Sequence, residues 1–157
     1  MDFTITVTGT EHCIKTIEKI EQVIQSDDLK KYIAEKAITV INRNAKEKLE
    51  KNENYINHNK YNIKSNGIEI YNDVTNEQGV HYSLIVEYGS GIYAEKGHIG
   101  TSEEFINSNY EWWYGFGKKI KVHGQTPKHI YEDSAKIIER NLHRWVNEYL
   151  RKFLGGR

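Results

Sequence analysis

The chain opens on a period of two. Phe3, Ile5 and Val7 alternate with threonines in FTITVTG, which predicts a short strand closed at Gly9. The period then lengthens. Cys13, Ile17, Ile20 and Ile24 fall on one helical face, with Glu18, Lys19, Glu21 and Gln22 elsewhere. This predicts an amphipathic helix whose start Thr10 can cap. Ser26-Asp27-Asp28 marks a second helix start, with two acids at the positive end of the helix dipole. Leu29, Ile33, Ala37, Val40, Ile41 and Ala45 trace its apolar stripe, and Lys46, Lys48 and Lys51 gather at its end. The asparagine-rich NENYINHNKYN reads as a loop.

Alternation returns in the middle of the chain. Asn66-Gly67 suits a tight turn, and Ile68 and Ile70 then alternate with Glu69 and Tyr71. In YSLIVEY, Tyr82, Leu84, Val86 and Tyr88 face one way, and Ser83, Ile85 and Glu87 the other. Strands over 67–74 and 80–88 with TNEQG between them predict an antiparallel hairpin. The second strand runs into Gly89-Ser90-Gly91. From there to residue 123 no period is evident, so 89–126 is read as a long projecting loop. Thr126 and Pro127 suit a helix start, and Ile130, Ser134, Ile138, Leu142, Trp145, Tyr149 and Phe153 recur every three or four residues up to Gly155-Gly156. The expected architecture is a single α+β domain over 1–157. A small, mostly antiparallel sheet (N-terminal strand plus central hairpin) is packed by two N-terminal helices and a long C-terminal helix.

Composition narrows the class. The 22 basic and 22 acidic residues cancel, which argues against a general nucleic-acid binder while leaving room for a local patch. A single cysteine, Cys13, excludes an internal disulfide framework and reads as a small buried hydrophobe. No apolar run approaches the ~18 residues that span a bilayer. The first residues, with an acid at position 2, do not resemble a signal peptide, so synthesis in the cytoplasm is expected.

Candidate chemistry is sparse. The glycines of EYGSGIYAEKGHIGT match no phosphate-loop or dinucleotide spacing. His12, His58, His81, His98, His123, His129 and His143 include no pair four apart on a helix, so no metal or other cofactor is expected. One alternative is a small enzyme or nucleic-acid-processing protein. It would use Glu87 with His81 or His98 as base and acid, and Ser83 or Ser90 as nucleophile. Nothing in the spacing favours it. A Glu beside a glycine turn serves more often as a hydrogen-bond anchor, and Gly89 at an abrupt strand end predicts a positive φ. Tyr110, Trp112, Trp113 and Tyr114 stand just before Lys118, Lys119 and Lys121. Such aromatics can stack bases, anchor a protein interface or fold back into the core; the zero net charge favours protein partners.

The order of these pieces resembles the tail-completion, or head–tail joining, proteins of tailed-phage necks, over nearly the whole chain. Three stretches carry the resemblance: YIAEKAITVINRNAKEKL after the first strand and helix, HYSLIVEYGSG, and GQTPKHIYEDSAKII. The family's Val-Glu-aromatic-Gly-Thr/Ser element is matched by Val86, Glu87, Tyr88, Gly89 and Ser90. The family's Pro-x-x-Thr-Gly stretch after the second helix has no counterpart here, and the loop from 91 to 123 is longer and more aromatic than usual. The resemblance implies a structural role and no reaction. It implies a ring of identical subunits, usually six, between the portal-side connector and the tail tube or tail terminator, with DNA only passing through. The loop would then be extended in the isolated chain and ordered on assembly, with Tyr110, Trp112, Trp113 and Tyr114 at an interface.

Overall fold

The computed structural model describes residues 10–75, 82–89, 93, 95, 112–115, 118–121 and 125–155, with the backbone alone at 10–13, 112–115 and 118–121. The elements are α1 (Thr10–Gln25), α2 (Asp27–Lys48), α3 (Glu53–Asn57), β1 (Asn59–Lys64), β2 (Gly67–Asn72), α4 (Ser83–Tyr88), β3 (Trp112–Gly115), β4 (Lys118–Lys121) and α5 (Ile130–Phe153). The fold is α+β. The N-terminal strand expected over 3–8 and the side chain of Cys13 lie outside the described residues.

The long helix α2 forms as its sequence dictates. The Ser26 hydroxyl accepts from the Leu29 amide at 3.2 Å, Asp27 and Asp28 occupy the first turn, and Lys46 and Lys48 the last. Its buried face is Leu29, Ala34, Ala37, Val40, Ile41, Asn44 and Ala45. Against it lies α5, running antiparallel. Asn44 Nδ2 donates to Ser134 Oγ near one end, and the Tyr32 hydroxyl donates to Glu148 Oε2 near the other. Tyr32 and Tyr149 rings also meet there, with centroids 5.3 Å apart. The last helix thus packs chiefly along α2 rather than on the sheet. It begins at Ile130, not at Pro127, and Thr126 is exposed rather than a cap. Gly155 ends it at φ 73°. Leu142 and Phe153 drift off the buried line and are exposed. On α1, Ile17 and Ile24 are likewise exposed and Val23 is buried instead.

The hairpin expected between 67–74 and 80–88 does not form; another takes its place. β2 pairs with β1, in the register Tyr61↔Ile70 and Ile63↔Ile68, across a two-residue Ser65-Asn66 turn. The asparagine-rich stretch is therefore structured. Its asparagines are used as cross-links: Asn59 Nδ2 donates to Asn42 Oδ1 on α2, and Asn72 Nδ2 donates to Asn59 Oδ1 and to the Tyr55 carbonyl. The Tyr131 hydroxyl donates to the same Asn59 Oδ1, tying α5 to the hairpin. Residues 83–88, expected as a strand, form the short helix α4. The same residues satisfy both periods, because Tyr82 and Val86 are also four apart. The helix places Val86 in a core with Ile41, Ala45, Tyr55, Val74 and Ile130.

Candidate functional site

Two of the residues singled out by sequence, Glu87 and Gly89, lie beside the start of α5. Glu87 is buried, and its carboxylate reaches the start of α5. Oε2 accepts from the Tyr131 amide at 2.9 Å and Oε1 from the Glu132 amide at 2.8 Å. The first turn of a helix leaves such amides unpartnered, and a carboxylate there also meets the positive end of the dipole. The residue at the usual cap position, His129, has φ 46° and makes no side-chain cap bond. Glu87 therefore supplies from a distant element what the local sequence lacks. The main chain reinforces the join: the Lys128 and His129 amides donate to the carbonyls of Val86 and Glu87.

Gly89 is the crossing point. It has φ 80°, as its place at the end of an element predicted. A Cβ there would lie 2.7 Å from the Tyr93 carbonyl oxygen, 2.8 Å from that of Gln125 and 2.9 Å from Pro127 Cδ. Tyr93 and Gln125, near the two ends of the 89–126 stretch, thus close on the same glycine. Glu95 completes the clasp: its amide donates to the Tyr88 carbonyl at 2.9 Å, and its Oε1 lies 2.9 Å from His129 Nε2. The second ring nitrogen, Nδ1, lies 3.2 Å from Glu132 Oε2. Lys48 Nζ donates to the carbonyls of Lys128 and His129 and pairs with Asp133, pinning the other side of the turn. Lys48 and Lys136 together hold the Asp133 carboxyl below the usual aspartate range. Burial, helped by the Glu87 charge, pushes the Tyr131 phenol up, so its hydroxyl stays a donor to Asn59.

Glu87 was legible as an anchor, but its target was not, because the helix start expected at Thr126 hid the need for a remote cap. Glu95 was missed, while His129 was weighed only as a metal ligand and Lys48 only as a helix-end charge, so the role of both at this join was not foreseen. Glu87→Ala is expected to lower stability by about 2–4 kcal/mol, since two charge-assisted bonds to helix amides go at once. Glu87→Gln should fall between, because its amide group faces a donor with a donor. Thermal melts of both, with hydrogen exchange at the 131 and 132 amides, check this; unchanged exchange in the alanine variant contradicts the cap.

Ser90 and Tyr110 lie outside the described residues, as do His81, His98 and His123. Trp112, Trp113 and Tyr114 lie on β3, which pairs antiparallel with β4: Trp112↔Lys121, Trp113↔Ile120, Tyr114↔Lys119. The segment read as free of strand thus contains a two-stranded ribbon. Three large aromatics and the KKIK run, joined through Gly115 and Gly117, have the composition of a hairpin even though each strand is too short to show a period. Register places Trp112 and Tyr114 opposite lysines, and Trp113 opposite an isoleucine.

Both oxygens of Glu87 are engaged by backbone amides, and Ser83 starts α4. Among the described residues no group of three or more His, Cys, Asp or Glu is placed to hold a metal. No helix among them is long and apolar enough to cross a membrane. No family model, curated protein or solved structure matches the chain.

Proposed function

We propose that the chain is a structural assembly protein of a phage or prophage neck. It forms a ring of identical subunits that joins the head connector to the tail, and its residence is the virion. The observation that carries this reading is the double closure of the loop at Gly89. Tyr93, Gln125 and Pro127 converge there, and Glu87 ties the same point to the first turn of α5. Both ends of the 89–126 stretch are fixed to one point of the domain, and contacts with partners concentrate in segments carried on rigid elements. The residues Val86 to Gly89 that build this join belong to the stretch that resembles the neck family. The aromatic β3–β4 ribbon supplies residue types enriched where protein interfaces derive their affinity. Its partners on this reading are neighbouring copies, the portal-side connector, and the tail tube or terminator.

Replacing Trp112, Trp113 and Tyr114 together by serine tests the reading. The expected outcome is a folded chain, melting within a few degrees of wild type, that no longer forms rings in electron micrographs or completes tails in a complementation assay. Unfolding of the variant would make the aromatics part of the core. Intact rings and intact tail joining would move the contact elsewhere.

A further inference from the structure

The charges of the chain cancel in sum but not in place. On α5, Lys136, Arg140, His143, Arg144, Asn147 and Arg151 follow one another on the side turned away from α2. Arg140, His143, Arg144, Asn147 and Arg151 are all exposed. They border a shallow surface depression together with Glu148. Three of the five arginines of the chain fall within these twelve residues, whereas lysine, at 17 positions, dominates elsewhere. Arg140 and Arg151 make no ion pair among the described residues. Arg144 has Glu148 at 3.6 Å, but that carboxylate also accepts from the Tyr32 hydroxyl on the α2 side. Lys136 at the near end is engaged by Glu132 and Asp133. The outward row from 140 to 151 therefore carries three guanidinium groups, flanked by the two carboxylates of Glu139 and Glu148.

An ordinary solvated helix face intersperses both signs at i, i+4 spacing, as Glu132 and Lys136 do one turn earlier. Beyond Lys136 that pattern thins: Glu139 and Glu148 are the acids left on α5, against Arg140, Arg144, Arg151 and Lys152, and Arg144–Glu148 at 3.6 Å is the one i, i+4 ion pair among the described residues there. From Arg140 to Arg151 the helix rises ~16 Å at 1.5 Å per residue, which is close to the axial reach of six successive phosphates on one DNA strand. Guanidinium presents paired donors that match phosphate oxygens, and the side chains of His143 and Asn147 add neutral-capable donors between them.

We propose that this arginine row on α5 is a sequence-independent binding surface for the phosphate backbone of double-stranded DNA. The inference goes beyond the assembly reading and stands without it, since it concerns one helix face of the chain itself. With about three phosphates neutralised, the logarithm of the affinity should fall against the logarithm of salt with a slope of about −3.

The experiment is fluorescence anisotropy of the full chain on two unrelated 20-base-pair duplexes between 25 and 200 mM salt. The variants are Arg140→Gln/Arg144→Gln/Arg151→Gln and a control that neutralises exposed lysines of the N-terminal helices, Lys15→Gln/Lys19→Gln/Lys31→Gln. The expected result is equal, salt-sensitive binding of both duplexes. It should be weakened at least tenfold, with a flattened slope, in the arginine variant and within about threefold of wild type in the control. Circular dichroism should show both variants folded. Absence of binding at 25 mM salt would overturn the proposal, as would equal losses in the two variants. Poly-glutamate competing as well as DNA per unit charge would also overturn it, assigning the row to an acidic protein surface. If the triple variant does not fold, Arg140→Gln and Arg151→Gln singly must each weaken binding, and undiminished binding in either overturns the proposal.

Discussion

Gly89→Val is expected to destabilise the chain by about 4 kcal/mol or more and to lower its melting temperature by roughly 10 °C or beyond. Two independent costs add. The backbone at Gly89, with φ 80° and ψ −177°, sits in a region that only glycine occupies readily, worth about 1–3 kcal/mol to any other residue. The first side-chain carbon would also meet two backbone carbonyl oxygens and a proline ring, all closer than 3.0 Å. Neither carbonyl is the end of a flexible side chain, so relief requires moving a limb of the loop, and overpacking of this kind costs about 1–3 kcal/mol more. Because both costs arise at the Cβ, Gly89→Ala should already show most of the loss. Thermal melts of the two variants decide the matter: an alanine variant within 1 kcal/mol of wild type would mean that the limbs of the loop do not close on this residue. On the assembly reading, a variant that remains folded at low temperature should also lose ring formation, because the root that presents the ribbon has been forced open.

How far the sequence told this in advance differs from element to element. The cap of α2 was legible because its signals are local: Ser26 bonds three residues on, and the charges of Asp27, Asp28, Lys46 and Lys48 act within one turn. The φ of Gly89 was legible for the same reason. The helix at 83–88 was misread as a strand because the alternating residues also contain an i, i+4 pair, Tyr82 and Val86, and tertiary burial of Val86 and Glu87 settled between the periods. Strand β1 was misread as loop because asparagine has low strand propensity. Here Asn59 contributes through bonds to Asn42, Asn72 and Tyr131, residues 13 to 72 positions away, which no local rule sees. The clasp of Glu87 on α5 is legible only in part. A buried Glu asks for donors, but that the donors are amides 44 and 45 residues on follows from the fold alone.

Trp145→Ala should cost about 3–5 kcal/mol, the usual range for removing a large aromatic from a closed site. The indole is 4% exposed, in a helix whose neighbouring residues, Arg144 and Val146, are exposed and half-buried. The antiparallel register explains why so large a side chain fits. Ser134 lies against Asn44, and Trp145, eleven residues on, falls level with the stretch of α2 where the buried residues are Ala34 and Ala37. Small residues on one helix thus leave the volume that the indole fills on the other. Substitution there cannot be repaired by alanines, which have no rotamers to swing into the gap. The loss should appear as a lower midpoint in urea with an unchanged m-value, the mark of a weakened core rather than an altered unfolded state. Trp145→Phe should recover part of the loss, and Ala37→Leu in the alanine background should recover more than Ala37→Leu costs in wild type. If Trp145→Ala melts with wild type, or if the two changes simply add, the α2–α5 register described here is wrong.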